Sequence, residues 1–203
     1  WNPNHELMMD IVTNIKAYPE YKDSEVPWVG DIPQSWEMRK LKHVFSEKKI
    51  THDAELPCGS ISFGKVVEKP DEKIPASTKA SYQVLNKGEF LVNPLNLNYD
   101  LKSLRIGLSE LDVVVSSGYI VLKSQGQHKG FLNYMMHRYD VAHMKLLGSG
   151  VRQTISFNHI SDSLLPLPPK DEQTAIANFL DDKVSKIDEA IAQKEQLIQL
   201  LNE

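Results

Sequence analysis

The sequence contains almost no cysteine and no long hydrophobic run, and both absences narrow the class of protein. Cys58 is the single cysteine among 203 residues, so an intramolecular disulfide cannot form and a thiolate-rich zinc site is excluded. No apolar segment approaches the roughly 20 residues that a membrane-spanning helix needs, and the polar start of the chain lacks the basic and then apolar order of a signal peptide. We therefore expect a cytoplasmic protein with one folded domain, an appended element and no contact with a membrane.

The sequence also lacks the motifs that would indicate an enzyme. It has no Gly-rich cofactor loop, no nucleophile elbow and no carboxylate pair in a defined context. Its seven histidines do not cluster with carboxylates, so metal binding is not expected. Asn93-Pro94-Leu95-Asn96 only partly matches the motif with which adenine methyltransferases hold a flipped base, because Leu95 replaces the second proline and Asn96 the aromatic residue. We expect no catalytic residue, no cofactor and no metal in this chain.

Basic residues are not in excess, which would normally count against a nucleic-acid partner. The formal net charge is -4, whereas neutralisation of phosphates by Lys and Arg supplies much of the free energy of DNA binding. The charges are unevenly distributed, however. Residues 79–170 hold ten basic and six acidic side chains, a net of +4, and residues 171–203 hold three basic and eight acidic ones, a net of -5. The middle of the chain is its cationic part, and contacts with an anionic partner are expected there.

Short β-branched or aromatic runs predict a sheet in the middle of the chain. They are separated by Gly, Asn, Pro and Asp, which favour turns, and Asn86-Lys87-Gly88 between two of them predicts a hairpin. A helix is expected from Phe131 to Leu147, stopped by Gly148-Ser149-Gly150, and a lead-in helix from Trp1 to Tyr18. The expected fold class is α+β, a curved mixed or antiparallel sheet with packed helices. The runs are residues 61–63, 66–67, 82–85, 89–92, 113–115 and 119–122.

The C-terminal part of the chain is typical of a coiled coil. The three prolines between Leu164 and Pro169 exclude helix and interior strand there, because each removes a backbone donor. We therefore predict a domain of residues 1–170 and a long helix of residues 171–203. Its apolar residues are spaced alternately four and three apart, which predicts a seam that needs a partner helix. Lys194 interrupts the seam and either snorkels as a surface residue or selects one alignment of the paired helices. The seam consists of Leu180, Val184, Ile187, Ile191, Lys194, Ile198 and Leu201.

Several passages resemble the specificity subunit of type I restriction-modification systems. The most specific is a composite of a Gly-rich turn, a basic or amide residue, an apolar strand, Pro-Pro, Glu-Gln and a long helix. Shorter passages near the start and in the middle of the predicted sheet agree with it. These passages are residues 148–155, Ile160, residues 164–169, Glu172-Gln173, residues 27–37, residues 88–98 and residues 116–122.

The resemblance implies a non-catalytic protein that recognises a specific DNA sequence. A complete subunit of the family has two target-recognition domains and two long helices, and each domain reads one part of a split target. This chain has one of each, so it is either a half-subunit that pairs with a second copy or second half through its helix, or a piece of a longer chain. The implied partners are double-stranded DNA and the methyltransferase and restriction subunits. S-adenosylmethionine would belong to the methyltransferase subunit.

Polar residues in the cationic middle of the chain are the candidate DNA contacts. Amide side chains suit adenine, arginine suits guanine or phosphate, and lysine suits phosphate. Each of these segments also has a structural interpretation, as a turn after a strand, a solvated loop or a braced glycine turn. The sequence does not decide between DNA contact and a structural role. The candidates are Asn93, Asn96, Asn98, Tyr99, Lys102, Arg105, Ser117, Tyr119, Lys123, Gln125, Lys129, Arg152 and Gln153.

Two other functions compete with DNA recognition. One is a coiled-coil module that binds proteins and not DNA, which predicts no salt-dependent DNA affinity. The other is a hydrolase with catalytic residues scattered over the sheet, for which the sequence offers no motif.

Overall fold

The computed structural model describes residues 17–95, 104–147 and 154–202. The lead-in helix predicted for Trp1 to Tyr18 and the glycine stop at residues 148–150 lie wholly or almost wholly outside them. Within these ranges the strands are β1 Tyr21–Asp23, β2 Asp31–Pro33, β3 Glu37–Lys40, β4 Phe45–Glu47, β5 Gly59–Ser62, β6 Lys65–Glu68, β7 Gln83–Leu85, β8 Phe90–Val92, β9 Ile106–Leu108, β10 Val113–Val115, β11 Ile120–Ser124 and β12 Leu164–Leu167. The α-helices there are α1 Ala76–Ala80, α2 Lys129–Ala142, α3 Phe157–Ile160 and α4 Lys170–Asn202.

A four-stranded antiparallel sheet in the order β4-β11-β8-β9 forms the centre of the domain. Helix α2 packs against it, with Phe131, Leu132 and Met136 in the same buried cluster as Phe90 of β8 and Leu122 of β11. The sheet and helix therefore bury one another's apolar faces, as the β-branched and aromatic runs predicted. Two 3-10 helices, Leu41–His43 and Met144–Leu146, complete the ordered segments.

The hairpin predicted at Asn86-Lys87-Gly88 is wrong, although the turn itself exists. Glu89 donates its backbone N–H to the Asn86 carbonyl, and Gly88 adopts φ +82°. The flanking strands nevertheless leave the turn in different directions, since β7 pairs with β10 and β8 pairs with β11 and β9. The turn connects two separate sheets, because burial of distant partners outweighs the local preference for a hairpin.

The sheet β10-β7 and the hairpin β5–β6 enclose a second buried cluster. Val66 of β6 packs there with Leu85, Val113 and Val121, and Ile61 of β5 packs against the same residues. The hairpin is thus anchored by one face of its two strands, and its turn extends beyond the cluster.

The proline-rich segment before the last helix is an edge strand. β12 pairs with β3 in a two-stranded antiparallel sheet, with Pro166 opposite Met38. A proline is compatible with such an edge because it needs no backbone donor on the unpaired side. The expectation that this segment is neither helix nor interior strand agrees with the observed pairing.

Helix α4 starts on the domain and then leaves it. Gln173 and Ala177 are buried, and the Tyr134 hydroxyl donates to Asp181 at 2.7 Å. Beyond Asp182 nearly all described side chains of the helix are half-buried or exposed. The α+β fold with antiparallel sheets and a long C-terminal helix is confirmed, and no helix of the described residues is long and apolar enough to cross a membrane.

Candidate nucleic-acid interface

The described candidate residues lie at two opposite ends of the central sheet. In the antiparallel pair β11 and β8, Ile120 lies opposite Val92 and Leu122 opposite Phe90. The segments before β11 and after β8 therefore meet at one end, which we call the loop end. It holds Asn93, Arg105, Ser117 and Tyr119. The other end, which we call the lysine end, holds Lys123, Gln125 and Lys129. The four residue steps from Ile120 to Ser124 separate the two ends by about 13 Å.

At the loop end, Asn93 shapes a turn after β8. Its side-chain oxygen accepts the backbone N–H of Leu95 at 3.0 Å, and its own N–H donates to the Arg105 carbonyl at 2.7 Å. Leu95 forms an antiparallel bridge with Thr154, and the Ile155 N–H donates to the Pro94 carbonyl. The turn interpretation of Asn93 therefore has direct support, and chain positions that are far apart in sequence meet beside it.

Arg105 lies inside the protein and is not a surface cation. The residue is 7% exposed, and its Nε donates to Oδ1 of Asp140 on α2 at 2.9 Å. The Arg105 backbone N–H donates to Oδ2 of the same carboxylate at 2.7 Å. This corrects the expectation of a DNA contact at Arg105: its position after a polar segment suggested exposure, but pairing with an aspartate 35 residues later turns it inward.

His137 lies one turn before Asp140 on α2 and is partly buried. Burial lowers the pKa of its imidazole, while the backbone carbonyls of Ile106 and Gly64 and the charge of Asp140 act in the opposite direction. The neutral ring is therefore favoured inside this part of the domain. The described residues contain no group of three His, Cys, Asp or Glu side chains suited to a metal ion.

The turn between β10 and β11 presents a serine and holds a tyrosine. Ser117 is exposed, whereas Tyr119 packs against the second buried cluster. The buried Gln83 amide donates to the Tyr119 carbonyl at 2.7 Å, which fixes the turn to β7. Of these two candidates, Ser117 is the more accessible to a ligand.

The lysine end gathers cations around the turn at residues 86–89. Lys123 is 55% exposed, and its Nζ lies 3.6 Å from Glu89. The ammonium group of Lys129 occupies the space that a Cβ at Gly88 would need. Sequence reasoning missed Lys87, which is exposed in this turn, and Lys48, which is buried and bonded to Glu89 at 2.7 Å. No local signal identifies Lys48, since it lies 41 residues before its partner.

Glu89 is largely neutralised within this turn. Its carboxylate accepts from Lys48 Nζ and from the Asn86 backbone N–H. Nearby, the Lys87 backbone N–H and the Asn86 amide donate to Asp112, and these hydrogen bonds lower the pKa of its carboxyl. Lys129 has no carboxylate within 4 Å among the described residues. The lysine end therefore offers cationic side chains to solvent.

Six candidate residues lie outside the described residues, and the structure gives no information on them. They are Asn96, Asn98, Tyr99, Lys102, Arg152 and Gln153.

The Glu-Gln pair of the sequence composite joins α4 to the domain. Glu172 Oε2 accepts from the Trp36 indole and from the Tyr18 hydroxyl, both at 2.9 Å. The Gln173 side chain accepts the His128 backbone N–H and donates to the Pro168 carbonyl, both at 2.9 Å. These side chains bond α4 to three separate parts of the domain, so the direction of the helix is fixed by hydrogen bonds that are buried or partly buried.

The predicted seam forms an apolar stripe on α4. Leu180 is half-buried next to the domain, and Lys194 lies on the exposed part of the helix. The exposed apolar members of the stripe, from 41% to 76% accessible, are Val184, Ile187, Ile191, Ile198 and Leu201.

The fold is shared with chains of type I restriction-modification systems. Over 91% of its length the chain superposes on 44% of the HsdS subunit from Thermoanaerobacter tengcongensis, with 15% identity and a TM-score of 0.52. Over 98% of its length it superposes on 50% of a chain from a structure titled for complex assembly and conformational transition of the type I R-M system, with 18% identity and a TM-score of 0.59. It thus spans about half of each of these chains. A search of curated protein sequences finds no match.

The amino-acid sequence matches a family model, which identifies the family of the chain. The model of the type I restriction modification DNA specificity domain matches residues 33–200, which includes most of the domain and nearly all of α4. The chain belongs to this family.

Proposed function

We propose that the chain recognises a DNA target as the specificity part, or half of it, of a type I restriction-modification complex, and that it performs no catalysis itself. The observation that carries this proposal is the family match over residues 33–200. A fold shared with half of an HsdS subunit supports it. The exposed cations at the lysine end provide the chemistry that phosphate binding requires.

The DNA contacts are divided between the two ends of the sheet. At the lysine end, the ammonium groups of Lys123 and Lys129 contact phosphates, because they neutralise charge without reading bases, and the Gln125 side-chain amide donates to a phosphate oxygen. At the loop end, Ser117 lies beside the turn of Asn93, where the chain enters a segment rich in amides. The other residues that we propose as contacts are Tyr119 and, outside the described residues, Asn96, Asn98, Tyr99, Lys102, Arg152 and Gln153. Arg105 is left out, because its side chain is buried and paired.

The exposed stripe of α4 binds a second long helix, from another copy of this chain or from a second half-subunit. A stripe of this length left in water would cost stability, and a partner helix with the same spacing would cover it. The hydrogen-bonded junction at Glu172 and Gln173 would then hold two recognition domains at a fixed separation. Methyltransferase and restriction subunits are the proposed catalytic partners, located with this chain in the cytoplasm.

The test of DNA recognition is selection of bound sequences from random duplexes. The chain is co-purified with the methyltransferase subunit encoded nearest to it in its source genome, and the bound DNA is sequenced. We expect enrichment of a split motif, symmetric if two copies pair. No enrichment by a well-formed complex would contradict the proposal and favour a module that binds proteins only.

The helix pairing has its own test in Ile191→Asp. A buried charge at the seam is strongly unfavourable, so sedimentation should show a monomer where the unaltered chain is paired, while the domain remains folded. Gln196→Asp places the same charge on the opposite face of α4 and should leave the pairing intact. Equal sedimentation of all three proteins would refute the seam.

A further inference from the structure

The turn between β5 and β6 presents an aromatic side chain to solvent. Ser62 pairs with Lys65, so Phe63 and Gly64 alone form the turn, with φ values of +47° and +77°. Two-residue turns with positive φ at both positions favour Asn and Gly, and a bulky side chain is rare and strained there. Phe63 is nevertheless 70% exposed. Packing within the described chain therefore gives no reason for a phenylalanine at this position.

The turn is held firmly against the sheet by its other residue. The Gly64 N–H donates to the Leu104 carbonyl at 3.1 Å, and a Cβ on Gly64 would lie 2.9 Å from the Leu104 side chain. The Gly64 carbonyl in turn fills the space beside Gly107. Since Gly64 is held against β9, the backbone of the turn at Phe63 is fixed, and little ordering of the turn remains to be done when the ring meets a ligand.

The surroundings of Phe63 favour a nucleic acid over a protein partner. Its chain neighbours Ser62 and Lys65 are polar and exposed, so within the tip of the hairpin the ring is flanked by polar side chains, unlike the apolar centre of a protein interface. Leu104 is next to Arg105 at the loop end, where the Asn93 turn lies. A two-stranded ribbon fits the major groove of DNA, and an apolar ring at its tip can meet a thymine methyl or enter between base pairs.

We propose that Phe63 is a base-contacting residue: the β5–β6 hairpin enters a groove of the target, and the exposed ring meets the methyl group or the face of a base. This inference rests on the proposed function and adds a contact that is neither polar nor charged. The strained φ is retained because the ring contributes to binding.

The decisive variant is Phe63→Asn in the complex with the methyltransferase subunit, with the selected duplex as the probe. Asparagine tolerates positive φ, so the melting temperature should be unchanged or higher. The Kd for the selected duplex should rise at least tenfold. The salt dependence of binding should stay the same, because no charge is removed. Phe63→Trp should retain most of the affinity, and Tyr21→Ala, which removes an exposed aromatic ring from β1, should leave it unchanged.

Two modified duplexes identify the part of the base that is met. If the ring meets a thymine methyl group, replacing that thymine by uracil should weaken binding by the wild-type protein and leave binding by Phe63→Asn unchanged. If the ring instead separates stacked bases, the fluorescence of a 2-aminopurine in the duplex should increase when the wild-type protein binds and not when Phe63→Asn binds. A tenfold loss of affinity without either signature would overturn the base contact.

The remaining outcomes separate this inference from the function on which it rests. If the wild-type complex selects a motif and Phe63→Asn binds it equally well, only the role of Phe63 is refuted. If Phe63→Asn loses the methyltransferase subunit during purification, Phe63 is a protein contact and the inference is likewise refuted. If the wild-type complex selects no sequence, the proposed function fails first and the inference fails with it.

Discussion

Removal of the buried carboxylate of Asp140 should destabilise the domain strongly. Asp140 is fully buried and accepts both the Nε and the backbone N–H of Arg105, at 2.9 and 2.7 Å. In Asp140→Ala these donors remain buried without an acceptor. Breaking a buried ion pair in this way costs about 3–5 kcal/mol. For a protein of this size, that loss lowers the melting temperature by about 6–20 °C.

Removal of both charges should cost less than removal of one. In the double variant Arg105→Met with Asp140→Leu no charge is left unpaired, and only the backbone N–H of residue 105 loses its acceptor, at about 1–3 kcal/mol. The native pair is also incomplete, since Arg105 Nη1 and Nη2 have no hydrogen-bond partner among the described residues. The free energy of unfolding measured in urea should therefore be higher for the double variant than for Asp140→Ala. Asp162→Ala, which breaks an exposed pair with Lys42, should cost much less.

The same variants test whether Arg105 contacts DNA. Because the guanidinium is inside the domain, the double variant should bind the selected duplex with an unchanged salt dependence. Loss of one phosphate contact would instead reduce the slope of log K against log salt by about 0.9. Such a reduction in a stable double variant, or equal stability of Asp140→Ala and the unaltered chain, would refute the buried pair.

Three further variants test other parts of the structure. Lys129→Gln should reduce the salt slope by about 0.9 in a binding titration, whereas Lys186→Gln on exposed α4 should not. Burial lowers the folded pKa of His137 below its usual value near 6.5, so the unfolded chain binds more protons than the folded chain and stability should fall as pH drops below about 6.5. Melting temperatures measured at pH 5 and 7 should differ less for His137→Gln than for the unaltered chain. Gln173→Leu removes the acceptor of the partly buried His128 N–H and should lower the unfolding free energy by about 0.5–1.5 kcal/mol in urea titrations.

The sequence predicts the elements of this fold better than their arrangement. All six β-branched or aromatic runs overlap strands. The helix expected from Phe131 to Leu147 is found from Lys129 to Ala142, and it ends five residues earlier than expected. Such elements follow from local periodicity and propensity. The pairing of the strands does not follow from them. β4 lies beside β11, and β7 pairs with β10 although β8 and β9 lie between these two strands in the sequence. These contacts depend on which buried faces match, and short strands of similar composition carry too little information to identify their partners.

The sequence likewise predicts the exposure of some candidate site residues and not of others. The exposure of Lys123 and Lys129 could be predicted, because both are polar and near a glycine. Arg105 met the same criteria and is buried, since its partner Asp140 lies on a helix whose packing is not apparent from the sequence. Phe63 was not a candidate, because an apolar residue in a β-branched run indicates a core position. Only the observed register, with Ser62 opposite Lys65, places it in the turn.

Three residues of the composite that carries the family resemblance stabilise the junction between α4 and the domain. Pro168, Glu172 and Gln173 form hydrogen bonds that hold the start of α4 to the domain, and none of them lies at the loop end. Under the proposed function, a junction of this kind must stay the same whatever sequence is read, because the separation of two recognition domains would depend on it. Side chains that meet bases must instead differ between targets. We therefore expect exposure and strain, as proposed for Phe63, to identify such residues better than resemblance to other members of the family does.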